Sequence, residues 1–204
     1  MSPTSPTTRR RTTRTRTRAL AMGAALLLAA GAAGSAVASE SGWDGSPPRP
    51  AKEREAAALT GTAMIDRPKG DEITFTFDAH LNAEDKRDPG KAHGTVKFSH
   101  YMEEPKWGGA GEARVDCLMT GGKVATVSAV VTRADGDLKN SVGKRVGLTV
   151  HDQGKQDRFG YSWAMVGLPG ELPDDMPKCV SAAPFEKTRP GSGTFHVLPM
   201  KDRS

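Results

Sequence analysis

Cysteine is scarce in this chain, and so are rings: two cysteines, three tryptophans, two tyrosines and six phenylalanines stand among 204 residues. No second Cys/His pair at zinc spacing accompanies Cys117 and Cys179, which argues against a structural zinc centre. Histidine is thin as well. His80, His93, His100, His151 and His196 include no H-x-H or H-x-x-x-H pair, so no ready-made metal face exists. His93 and His100 are seven positions apart, which on one regular strand places them on opposite faces. Aromatic residues at 5% argue against the large greasy cup of a lipocalin-like carrier. No convincing helical periodicity follows the N-terminal segment, and without crossover helices a parallel α/β enzyme fold is ruled against. No cofactor is expected.

What is present begins with an address. The first eighteen residues carry six arginines and no acidic residue, then run into an apolar stretch of Ala, Leu and Gly, and Ala36-Val37-Ala38 supplies a small-x-small cleavage pattern. These parts make residues 1–38 a secretory signal, cut before Ser39, and predict a secreted, extracellular product. An uncleaved anchor is disfavoured because alanine and glycine dominate the stretch. Arg9-Arg10-Arg11 resembles a twin-arginine signal, but threonines follow where apolar residues are wanted. No cysteine lies near residue 38 to take a lipid, so no membrane attachment is expected after cleavage.

The formal charge of +5 belongs to that address. Six of the 29 basic residues leave with it, so 23 remain against 24 acidic residues, a net of −1 on a mature chain of 166 residues. Nearly neutral and interspersed, those charges give no footprint for nucleic acid. In an oxidising compartment Cys117 and Cys179 are expected to form a disulfide. Their separation of 62 residues makes the bridge worth roughly 4 kcal/mol in the chain-entropy model.

Residues 39–57 are rich in Ser, Gly and Pro at their start and read as a flexible leader, with a single β domain over 58–200. Within the domain, period-two alternation recurs. Val146, Leu148 and Val150 face Phe159, Tyr161 and Trp163 across a polar tip, an antiparallel hairpin with Val150 opposite Phe159 and Val146 opposite Trp163. Ile73, Phe75, Phe77, Ala79 and Leu81 make the cleanest row. Further strands are predicted over 59–66, 93–102, 113–119, 123–132 and 194–198. In 123–132 both faces are rather apolar, so alternation does not choose the inside. Short strands at near-regular spacing predict an all-β domain, an antiparallel sandwich or closed barrel of about seven or eight strands with one disulfide.

Chemistry is sparse. Gly160-Tyr161-Ser162-Trp163-Ala164, followed by Asp174 or Asp175 and His196, echoes a nucleophile elbow, but that device needs a parallel strand feeding a helix. Pro190-Gly191-Ser192-Gly193 reads as a turn. Asp152 and Asp157 carry oxygens of the kind calcium takes, yet Lys155 shares their loop and the spacing fits no EF-hand, so a solvated turn is expected. Asp78 with His80 and His151 with Asp152 form two outward patches that would serve an enzyme only if their strands adjoin. Trp107, in a glycine-rich stretch expected to be a loop, is the best candidate for an exposed contact.

Five segments carry a resemblance: Leu59-Thr60-Gly61-Thr62-Ala63-Met64; Phe75-Thr76-Phe77-Asp78-Ala79-His80; His93-Gly94-Thr95 with Phe98-Ser99-His100-Tyr101; Val115-Asp116-Cys117-Leu118; and Val150-His151-Asp152-Gln153-Gly154 with Asp157-Arg158-Phe159-Gly160-Tyr161-Ser162-Trp163. Together they resemble a group of small exported actinomycete proteins, some carrying the label repetin. The resemblance spans most of 59–198 and implies an exported β domain with no assigned activity. The sequence therefore predicts a secreted, non-enzymatic β domain that binds an unknown protein or cell-surface ligand through its loops. The alternative is a small secreted hydrolase or metal-dependent enzyme using Asp78, His80, His151 and Asp152.

Overall fold

A computed structural model describes residues 54–201; the expected signal segment, 1–38, and residues 39–53 of the expected leader lie outside the described residues. Nine strands follow in order: β1 (Glu55–Met64), β2 (Asp71–Asn82), β3 (His93–Met102), β4 (Trp107–Gly121), β5 (Val124–Ala134), β6 (Arg145–His151), β7 (Arg158–Tyr161), β8 (Glu186–Lys187) and β9 (Thr194–Leu198). They form one antiparallel sheet in the order β8-β7-β6-β5-β4-β3-β2-β1-β9, curled into a half-barrel. This corrects the expected count of seven or eight strands, and the expected two sheets of a sandwich are one curled sheet. Where the ends of the curl approach, Ile65 and Thr188 make a single bridge in place of a continuous ladder. The leader also ends earlier than expected. Glu55 opens β1, because Ala57 and Leu59 fall on the inward side and are fully buried against β2. Among the described residues no helix is long and apolar enough to cross a membrane.

The concave side holds the core. Phe75 and Phe77 of β2 meet Phe159 of β7 at ring-centroid distances of 4.3 and 6.2 Å, although four strands separate the two in the ladder order. Phe195 of β9 closes edge-on against Phe77 at 5.2 Å. Each such ring, fully buried, stabilises the fold by roughly 1.5–3 kcal/mol. The β6–β7 hairpin has the expected register, with Val150 opposite Phe159 and Leu148 opposite Tyr161. Val146 does not face Trp163, because β7 stops at Tyr161 and the chain enters a 3-10 turn, Ser162–Met165.

The ambiguous β5 is settled by what lies outside it. Ala125, Val127, Ala129 and Val131 face the core, while the outer side of β4–β6 is covered by a strap running through residues 176–183. Cys179 is tied to Cys117 there, with Cα atoms 5.4 Å apart, as the expected disulfide. The Cys179 amide donates to Ser128 Oγ at 3.0 Å, and Arg145 reaches both Asp116 Oδ2 and the Met176 carbonyl. Two apolar faces on β5 thus reflect two covered faces. Gly147 lets the strap lie this close, since a Cβ there would stand 1.8 Å from the Val180 carbonyl oxygen. Gly147→Ala is expected to cost about 1–3 kcal/mol by overpacking, visible as a lower urea midpoint together with faster amide exchange in 176–183.

Candidate functional site

At one end of the curl, inward rows run out of apolar residues and finish on ionisable ones. On β2 the row Phe75, Ile73 ends at Asp71, and on β3 the row Val96, Phe98 ends at His100. Ile73 pairs with His100, so Asp71 lies diagonally across and its Oδ1 sits 2.8 Å from His100 Nε2. Tyr161 ends β7, and its hydroxyl donates to Glu186 Oε1 at 3.2 Å while accepting from Arg67 at 3.0 Å; Arg67 also pairs with Glu186 directly. Burial pushes the Tyr161 phenol up, Arg67 opposes the shift, and Glu186 adds to it, so the net effect keeps the ring neutral.

Asp71, His100, Tyr161 and Arg67 rim a cavity of about 170 Å³, with Glu186 behind Arg67 and Tyr161. Its walls are Phe75, Phe98 and Trp163, three rings whose centroids stand 6.3, 6.2 and 6.0 Å apart pairwise. Leu138, from the 3-10 turn Gly136–Ser141, lines it together with Leu168 and Pro169. Met165, on the same turn as Trp163, is 93% exposed. A mostly apolar hollow with a few convergent polar groups at a barrel mouth is the usual form of a small-molecule site. A larger hollow of about 560 Å³ runs along Thr74, Thr76, Lys97, Glu112 and Arg133. It is the more open of the two, and the Glu112 and Arg133 on its wall are already paired at 2.8 Å.

The residues singled out from sequence fall elsewhere. Asp78 and His80 do lie together on the outer side of β2, where His80 Nε2 is 2.8 Å from Asp78 Oδ1 and Nδ1 is 2.8 Å from Glu55 Oε1. His151 meets only Gln153, at 3.4 Å. Asp152 is buried, correcting the expected outward patch: its Oδ2 accepts from Lys123 at 3.0 Å and from the Val197 amide at 3.2 Å, tying the β6–β7 loop to β9. Among the described residues no hydrogen bond or ion pair joins the Asp78–His80 pair to the His151–Asp152 pair. Among the described residues no group of three or more His, Cys, Asp or Glu side chains is placed to hold a metal.

The expected solvated Asp152–Asp157 tip is corrected in the same way, because Asp157 is 1% exposed and accepts hydrogen bonds at both oxygens. Ser162 Oγ accepts from the Gly147 amide at 2.9 Å, a structural bond. Ser192 Oγ donates to the Arg189 carbonyl at 2.7 Å within a turn.

Trp107 is no exposed loop tip. It opens β4 opposite Met102 and packs edge-on against His100 at 5.0 Å, which places it behind the cavity rim. The glycines around it belong to the strand and admit a neighbour: a Cβ on Gly109 would stand 2.4 Å from the Asp135 carbonyl, and Asp135 and Asp137 accept from the Ala110 and Gly108 amides.

His80 carries a pH signature. Burial works against its charge, but its contacts with Asp78 and Glu55 outweigh that and raise its pKa above 6.5. Its contribution to stability is therefore whole below pH 6.5 and is lost as pH rises through the raised folded value. Thermal unfolding followed from about pH 5.5 to about pH 8.5 should show this fall, and His80→Gln should flatten it; parallel curves for the two proteins would discard the clasp.

Sequence alternation alone contains the signal for part of the cavity rim, since Asp71-x-Ile73-x-Phe75 and Val96-x-Phe98-x-His100 each end a buried row with a titratable group. Arg67 and Glu186 have no such signal, one being in a turn and the other in a two-residue strand. No protein-family model, curated protein or solved structure matches this chain.

Proposed function

We infer that this chain is an exported, non-enzymatic β domain that binds a ligand or partner through the cavity at the mouth of its half-barrel and the turns around it. The observation that carries this is the joining of an aromatic wall, Phe75, Phe98 and Trp163, to a rim of paired polar groups in one hollow. Export rests on the N-terminal address, and the disulfide and the resemblance to exported actinomycete proteins accord with it. The hydrolase or metal-enzyme alternative loses its footing because the Asp78–His80 pair binds Glu55, Asp152 binds Lys123 and the Val197 amide, and His151 meets Gln153, with no contact between the two patches among the described residues. A lipocalin-like carrier would need far more room than about 170 Å³.

The test is thermal unfolding in the presence of a library of small fragments. A true ligand at about 100 times its Kd raises stability by roughly 2.7 kcal/mol. The gain should vanish in Leu138→Trp, which fills the hollow from the Leu138 wall. A library in which nothing stabilises the wild-type protein, or in which hits act equally on the filled variant, would remove the cavity as the site.

A further inference from the structure

The hollow's size, its wall and the state of its rim together restrict what it can hold. An apolar cavity of about 150 Å³ accommodates benzene, whereas drug-sized ligands occupy about 300–1,000 Å³. At about 170 Å³ this one takes a single ring. Asp71 and His100 stand at the strand ends, so the inner end of the hollow is hydrocarbon: Phe75, Phe98 and Trp163, backed by Ile73, Leu138 and Leu168. These walls are fixed before a guest arrives. Phe98 lies over Gly111, where a Cβ would stand 2.4 Å from the ring. The Leu138 amide donates to the Asp135 carbonyl at 3.0 Å, and the Leu138 carbonyl accepts from Ser141 Oγ at 2.6 Å. A guest therefore meets a preformed surface.

The rim offers no comparable hold. Arg67 is matched by Glu186, and Asp71 is bonded to His100. The Asp71, His100 and Arg67 side chains are still 26%, 29% and 28% exposed, so a hydrogen bond to a guest replaces one to water with little net gain. The buried polar atoms that lack a partner among the described residues, Arg67 Nε and Ser181 Oγ, are enclosed by protein and beyond a guest's reach. A charged guest would give up its hydration without an unmatched opposite charge to offset the loss. What is left to hold a guest is apolar contact and ring packing.

We propose that the hollow binds an uncharged, single-ring aromatic hydrocarbon of the benzene or toluene class, held by contact with Phe75, Phe98 and Trp163 and by no hydrogen bond. The proposal rests on the cavity being a ligand site, and the test separates the two claims.

Toluene, phenol, benzoate and benzylammonium are titrated into the folded protein near pH 7, with calorimetry for affinity and the assigned Trp163 indole resonance for location. Toluene should bind saturably, shift Trp163, and bind roughly tenfold more tightly than phenol, which exchanges a buried methyl for a hydroxyl taken from water without a needy partner. Benzoate and benzylammonium should each bind at least about tenfold more weakly than toluene. Phenol equal to toluene or tighter, or either ion equal or tighter, overturns the ligand class while leaving the cavity as a site. No Trp163 shift with any of the four overturns both claims. Leu138→Trp should abolish the toluene response, and an unchanged response would place binding elsewhere and overturn both. Nuclear Overhauser contacts from toluene to Phe98 and Trp163 in the unmodified protein give the same decision if that variant does not fold, their absence overturning the placement.

Discussion

Replacing both Cys117 and Cys179 by serine should lower the unfolding free energy by about 4 kcal/mol, as expected from closing a loop of this length in the unfolded chain. The bridge spans 62 residues, and its Cα separation of 5.4 Å falls within the ordinary range, so the native state contributes its full geometry. The loss is more than entropic bookkeeping over the whole chain, because the bridge anchors one end of a segment that covers the outer face of β5. Ser128, buried at 0% exposure, depends on that cover for its place between Asp116 and the Cys179 amide. Urea unfolding of the double variant should therefore show a lower midpoint, and amide exchange should rise first in residues 176–183. A loss below about 1 kcal/mol would mean that the strap is held without the bridge.

Asp157→Ala should cost about 3–5 kcal/mol, by leaving several buried or half-buried donors without acceptors at about 1–3 kcal/mol each. Oδ1 accepts from the Gln153 and Gly154 amides at 2.8 and 3.2 Å, and Oδ2 accepts from Thr194 Oγ1 and the Phe195 amide at 2.9 and 2.8 Å. One carboxylate thus folds the β6–β7 loop and fastens β9 to it. Asp157→Asn preserves the shape but turns an NH2 group toward two of those donors, so it should lose roughly half as much. Exchange of the Phe195 and Val197 amides reports the loosening of β9 directly. Substitution without effect on those amides would discard the fastening.

The two expected losses differ in how far the sequence foretold them. The disulfide followed from expected compartment and count: two cysteines in a chain expected to be exported have only each other. The role of Asp157 was hidden, because an aspartate in a polar stretch with glycine nearby has the composition of a solvated turn. Its partners Thr194 and Phe195 lie 37 and 38 positions away, and no local pattern couples them. Trp107 was misplaced for a related reason. Glycines suggested a loop, whereas they serve the close approach of residues 135–138 to a strand. His93 and His100 do fall on opposite faces of β3, since their spacing depends only on strand period.

By itself the sequence determined most strands, their inward rows on β2 and β3, the β6–β7 register and the sulfur bridge. These are properties of period-two alternation or of elimination, and each is contained within a short stretch or a residue count. Only the tertiary structure decided the single curled sheet, the strap over β5, the capture of β9 by Asp152 and Asp157, and the aromatic cavity rimmed by Arg67, Asp71, His100 and Tyr161. Those features arise where turns distant in sequence meet at the ends of strands. Isolated polar residues there have no periodicity, and their partners are chosen by the curl of the sheet.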